Sequence, residues 1–160
     1  MKLWRPVGMN ELLLMLRADM RAFPPRLPDQ PIFYPVLDEG HAHQIARDWN
    51  TTGNTFAGYV TAFDVDDDYL AQFDRQVVGG KQHKELWVPA EQLDEFNSHI
   101  QGRIALLAAY FGELFVGLVP KSGELAGLQA VEQWPRIAAL SQLAPAKLGA
   151  EVRSNREAIY

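Results

Sequence analysis

The stretch Lys84-Glu85-Leu86-Trp87-Val88-Pro89, continued by Ala90-Glu91-Gln92-Leu93-Asp94-Glu95-Phe96, constrains the fold more than any other part of the chain. Leu86, Trp87 and Val88 read as a short strand. Pro89 stops it and suits a first helical position, where no amide donor is needed. Leu93, Phe96 and Ile100 then recur at helical spacing. Upstream, Gly79-Gly80 supply a turn that delivers the chain to the strand. Glu85 opens that strand although glutamate is a poor strand former, so its place requires either a solvated strand end or a partner. A carboxylate beside a tryptophan at the edge of an apolar strand is a candidate site residue.

Strands and helices alternate around this stretch. Lys2 to Val7 has strand character, and Pro6 restricts it to an edge, a bulge or a strand end. Asn10 caps a helix from Glu11 to Met20, with Leu12, Leu16 and Met20 on one stripe. From Phe23 to Pro31, prolines 24, 25, 28 and 31 remove donors and enforce extended backbone. The result is an ordered loop with Arg26 at its centre, expected to border the main pocket and aim that cation into it. Ile32 to Leu37 is an apolar strand interrupted by Pro35. Asp38 caps a helix from Glu39 to about Trp49, whose buried face is Ala42, Ile45, Ala46 and Trp49, with His41 and His43 turned to solvent.

Phe56 to Val65 is the strongest strand, with Tyr59, Thr61, Phe63 and Val65 on one face. Asp66 caps a short helix, Asp67 to Phe73, and Arg75 to Val78 is a further strand. Arg103 to Tyr110 fits a strand or a buried helix equally. Phe111 to Val119 is irregular or strand. Leu125 to Leu143 is helical, with Leu128, Val131, Trp134, Ile137 and Ala138 along one side and a break or bend at Pro135. Leu148 to Val152 and Arg156 to Tyr160 read as two strands. The sum is an α+β chain, one domain over residues 1–160, with a split or bent β-core and helices packed outside.

Composition narrows the class. With 160 residues, 48% of them apolar and 22% charged, the chain can bury a real core and is not a disordered type. A net charge of −5 without a basic block argues against general nucleic-acid backbone binding. Cysteine is absent, which excludes disulfides and thiolate metal sites. No apolar run has the length of a signal peptide core or a membrane span, and a cytoplasmic protein is expected. The acids Asp64, Asp66, Asp67 and Asp68 do not form an EF-hand loop: Tyr69 stands where it needs glycine and Arg75 where it needs glutamate. They fit helix capping instead. His41 and His43 are two apart and diverge on a helix, so no metal site is expected. There is no nucleophile elbow, Walker loop or Rossmann fingerprint.

The run Phe23-Pro24-Pro25-Arg26-Leu27-Pro28, then Gln30-Pro31-Ile32-Phe33-Tyr34-Pro35-Val36-Leu37, then Ile45-Ala46-Arg47-Asp48-Trp49-Asn50-Thr51, resembles a bacterial family of small uncharacterised proteins often labelled "ADP-ribosylation/crystallin J". Phe63-Asp64-Val65-Asp66-Asp67 and Glu85 to Asn97 extend the likeness, which covers about residues 1 to 135. The order of elements also looks like the ADP-ribosyltransferase fold, in which NAD lies in a cleft between two small sheets. That resemblance implies site residues by position: Arg5 on the first strand and Tyr34 on the next, with Glu85 on a late one. Arg5 and Arg26 would hold the cofactor's ribose or phosphates. Tyr34 would stack on nicotinamide. Glu85, with Tyr34, would be catalytic, its carboxylate stabilising an oxocarbenium-like transition state.

Three places depart from the transferase pattern. Pro6 follows Arg5 where glycine is usual, Pro35 follows Tyr34 where a small or hydroxylic residue is common, and His83 stands two before Glu85 where arginine-modifying enzymes have Glu or Gln. The implied function is an NAD-binding ADP-ribosyltransferase-like enzyme acting on a nucleotide, with an acceptor that the sequence does not identify and for which a protein is one candidate. Two other classes fit the same residues: a non-catalytic partner-binding or immunity-type protein using the proline-rich loop, and a small hydrolase of an ADP-ribose or nucleotide compound. The transferase reading further expects Arg5 to pair with Glu85.

Overall fold

The computed structural model describes residues 1–77 and 84–155. Val78, Gly79-Gly80, His83 and the expected strand Arg156 to Tyr160 lie outside the described residues. The sequence reading takes residues 1–160 as one domain; by internal contacts the chain falls into two compact units, Met1–Glu113 and Leu114–Tyr160.

The first unit mixes small open sheets with helices. Strand β1 (Lys2–Gly8) runs directly into helix α1 (Met9–Arg17). Gly8 is the N-cap, not Asn10, because the strand stays extended up to Gly8 and leaves no loop between the elements. The helix also stops earlier than its apolar stripe predicts. Met20 donates its N–H to the Met15 carbonyl at 2.8 Å and Asp19 to the Leu16 carbonyl at 3.0 Å. That closing pattern needs left-handed backbone, and Asp19 and Met20 both have φ of 55°.

After the proline-rich loop, β2 (Ile32–Phe33) is the only regular part of the expected strand Ile32 to Leu37. Helix α2 (Glu39–Asp48) is capped by Asp38, whose Oδ1 accepts from the His41 N–H. Strand β3 (Ala57–Val65) pairs antiparallel with β1 from Lys2↔Asp64 to Gly8↔Gly58. Helix α3 (Asp67–Leu70) is shorter than expected, but its cap is Asp66, which accepts from the Asp68 N–H. Strands β4 (Arg75–Val77) and β5 (Lys84–Leu86) pair with each other, and β6 (Val88–Pro89) pairs with β2. Pro89 therefore ends a strand, and a single turn at Ala90–Gln92 separates it from α4 (Leu93–Ser98). The ambiguous run after it is strand: β7 (Ile100–Phe111) pairs antiparallel with β3.

Strand β3 is buried on both faces. Its Tyr59, Thr61 and Phe63 stand opposite Val7, Arg5 and Leu3. This face meets an aromatic cluster in which Phe23 lies 4.8 Å from both Phe33 and Phe63, with Phe33 5.4 Å from Phe96. Asn97 clips the start of the proline-rich loop to this cluster: its side chain accepts from the Phe23 N–H and donates to the Phe23 carbonyl, both at 2.9 Å.

On the opposite face Val60 and Val36 pack with Ala42 and Ala46 of α2. Gly58 lets this helix come close, since a Cβ there would run into the Ala46 carbonyl and the Asn50 side chain. Trp49, expected in the core, is the C-cap and 63% exposed. His41, expected in solvent, is buried at 5% exposure, while His43 is half-buried against the Tyr110 hydroxyl at 2.7 Å.

In the second unit, α5 (Ala130–Leu143) and α6 (Pro145–Ser154) follow an irregular segment. The expected strand Leu148 to Val152 is helix, because Pro145 at its first turn starts one. Helix α5 begins at a capping box of Gln129 and Glu132 and carries Pro135 inside it. Its inward residues are Gln133 and Leu140; the side expected to be buried is exposed at Val131 and Trp134. Polar groups organise this unit. The Gln133 amide donates to the Leu118 and Leu128 carbonyls, and buried Glu151 accepts from the Glu124 N–H at 2.8 Å.

The close helix–strand contact gives a direct prediction. Gly58→Ala forces α2 off β3 and is expected to destabilise the protein by about 3 kcal/mol. Gly8→Ala, where a Cβ meets nothing within 4 Å, should stay near wild type; urea denaturation of the two variants measures the difference.

Candidate functional site

Trp4 and Val36 form an isolated antiparallel bridge, exchanging N–H···O bonds of 3.0 and 2.8 Å. The next donor on that edge of β1 falls on Pro6, which has none. Pairing ends there, and the two backbones part. On its other side Val36 bridges Glu85, flanked by bonds from Leu37 to the Lys84 carbonyl and from Leu86 to the Pro35 carbonyl. Val36 is thus the one described residue joining β1 to β5. Beyond it opens a cleft of about 500 Å³, lined among others by Arg5, Arg26, Tyr34, Glu85, Glu11 and Trp87.

The register that pairs Val36 with Glu85 also pairs Phe33 with Val88, so Tyr34 and Trp87 stand opposite each other. Their rings meet edge to face at 5.7 Å, an aromatic cross-strand pair beside Glu85. Tyr34 also gives its backbone: its carbonyl, facing the missing Pro6 donor, accepts from Arg5 Nη1 at 3.0 Å.

Arg5 is buried, with its guanidinium over the Phe33 ring at 4.9 Å and its Nε 3.3 Å from Glu11 Oε1. Glu11 serves a second cation, Arg26, whose Nη1 is 3.6 Å away. Gln30 accepts from Arg26 Nη2 at 2.6 Å, while Arg26 Nε is buried without a hydrogen-bond partner. Burial first, and the like charge of Arg5 second, hold the Arg26 guanidinium below its ordinary pKa; Glu11 and Tyr34 partly offset this. An anion placed beside Arg26 would counteract both by its opposite charge. A second cavity of about 490 Å³ shares Arg26, Glu11 and Gln30 with the first, and is lined also by Pro24, Pro25 and exposed Trp49. The proline-rich loop thus borders the cleft and turns Arg26 into it.

All four residues singled out in the sequence, Arg5, Arg26, Tyr34 and Glu85, line one cleft. The expected pairing of Arg5 with Glu85 is not among their contacts. Trp4, Val36 and Glu85 share a face by register, so Arg5 leaves β1 from the other face and takes Glu11. The neighbour of Glu85 is His41, whose Nε2 lies 3.7 Å from Glu85 Oε1. Glu11, Trp87 and His41 were not foreseen as site residues. A signal existed for His41, which lies four residues before Ile45 and so shares its helix face.

No family model, no curated protein and no solved structure matches the chain. Among the described residues, no helix is long and apolar enough to cross a membrane, and no group of three His, Asp or Glu side chains is placed to hold a metal ion.

The shared carboxylate should be a stability determinant. Glu11→Gln leaves two neighbouring, largely buried guanidiniums without their counter-charge and is expected to cost about 3 kcal/mol in urea denaturation. Added pyrophosphate should stabilise this variant more than the wild type.

Proposed function

We propose that the first unit is an ADP-ribosyltransferase-like domain that takes NAD as its substrate and passes ADP-ribose to an acceptor. The observation that carries this reading is the convergence of two arginines, an aromatic pair and a carboxylate on one cleft of about 500 Å³, a volume suited to a small-molecule site. The donor chemistry fits: Arg26 has a buried N–H without a partner, and guanidinium groups match phosphate oxygens. Tyr34 and Trp87 offer ring faces and edges to the nicotinamide.

Glu85 then carries the chemistry. As the bond between the ribose C1′ and the nicotinamide nitrogen breaks, its electron pair leaves with nicotinamide and positive charge develops on the sugar. A fixed carboxylate stabilises that charge. The acceptor's nucleophilic atom bonds to C1′ and gives up its proton to solvent. Water in the acceptor's place would make the same cleft a hydrolase.

A second reading, a binding protein without catalysis, is favoured by one observation: Arg5 is engaged by Glu11 and the Tyr34 carbonyl and stands apart from Glu85. NAD separates the two. At a hundredfold excess over Kd, ligand should stabilise the protein by about 2.7 kcal/mol, read as a rise in Tm. Arg26→Ala should weaken that binding about tenfold or more. Glu85→Gln should retain binding but lose cleavage of NAD by about a hundredfold, followed as released nicotinamide. Absence of both binding and cleavage would leave the transferase reading without support.

A further inference from the structure

Glu85 has a neighbour with no part in the chemistry above. His41 stands in the first turn of α2 with its ring buried, and its Nε2 is 3.7 Å from Glu85 Oε1. Its backbone N–H is held by Asp38 Oδ1 at 2.8 Å. The imidazole therefore rises from a capped, pinned turn. Glu85 is fixed from the other direction, since its strand is tied to Val36 and to β4. Two separately anchored elements thus bring an imidazole close to a carboxylate that lines the cleft.

We propose that His41 is the positioning residue for the Glu85 carboxylate and makes its action depend on pH. The inference rests on the reading of the cleft as an NAD site. Neutral imidazole with its proton on Nε2 can donate to the carboxylate, orienting it while leaving its negative charge available to the developing cation. Protonated imidazole would offset that charge. Acidification that adds a second proton to His41 should therefore switch the site off. Among the described residues, the charged or titratable groups that line the cleft with Glu85 include Arg5, Glu11, Arg26 and Tyr34; Lys84 adjoins Glu85 in β5, and Asp38, Glu39 and His43 are near His41 along the chain at α2. His43 is engaged by the Tyr110 hydroxyl and lies 3.6 Å from Glu39.

Two substitutions and one titration test the proposal. His41→Leu removes the donor, and His41→Gln keeps an amide donor close to the Nε2 position with nothing to titrate. His41→Leu should lower kcat for NAD cleavage by about tenfold to a hundredfold while KM stays within about twofold. His41→Gln should recover most of kcat at about pH 8 and keep its rate near pH 5.5, where the wild type declines. Independently of activity, NMR should show the His41 ring, assigned by its loss in His41→Gln, titrating at lower pH in Glu85→Gln than in the wild type. An unshifted titration, or a His41→Leu protein with wild-type kcat and pH profile, overturns the proposal. A wild-type protein that does not cleave NAD overturns the nucleotide reading instead, and the titration still decides whether His41 and Glu85 are coupled.

Discussion

One missing amide hydrogen, at Pro6, governs the layout of the first unit. The edge of β1 that meets Val36 can form one bonded residue pair, at Trp4, before its next donor falls on proline. An unmet backbone carbonyl away from water is costly, and the Tyr34 carbonyl that would have faced the Pro6 N–H is met by Arg5. The same residue that fills the gap places a cation in it. Had the ladder continued, β1 would have closed against the strand of Tyr34 and no cleft would lie between them. In sequence, Pro6 reads as a departure from a familiar transferase pattern. In the fold it is a cause of the opening.

Arg5 can occupy that place because everything around it is fixed. The Phe33 ring lies below it, locked in a cluster with Phe23, Phe63 and Phe96, and Glu11 faces it from the first turn of α1. The direct passage from β1 into α1 puts Glu11 at hydrogen-bonding distance. Arg26 completes the group from a loop clipped at its start by Asn97. A buried cation pair around one carboxylate is not itself a strong source of stability. The three groups line a cavity, where the proposed nucleotide site would use their net positive charge.

Helix α2 shows how packing reassigns residues that periodicity sorts plausibly. Small side chains at Ala42 and Ala46, with Gly58 opposite, let the helix sink onto the sheet. Trp49, just beyond the last turn, is exposed and lines the second cavity. At the other end of the helix His41 is buried and turns towards Glu85. The same limit applies to α5. A stripe of apolar residues marks one side of a helix, but in this unit Gln133 satisfies two carbonyls from within while Val131 and Trp134 face outward.

The sequence by itself determined the local elements that depend on backbone chemistry. Pro6 restricted β1 to an edge, a bulge or a strand end, Asp38 and Asp66 set two helix starts, and a run rich in Tyr, Val, Thr and Phe marked β3 as the strongest strand. Resemblance to the ADP-ribosyltransferase layout pointed to Arg5, Tyr34 and Glu85, the proline-rich loop pointed to Arg26, and a glutamate opening a strand gave Glu85 a further reason to need a partner. Which partner each takes was decided only by the tertiary structure. Strand register sends Arg5 and Glu85 from opposite faces, so Arg5 meets Glu11 and Glu85 meets His41. Contacts of that kind join residues distant in the chain through the depth of a helix and the registry of a sheet, and neither quantity is encoded in any local run of amino acids.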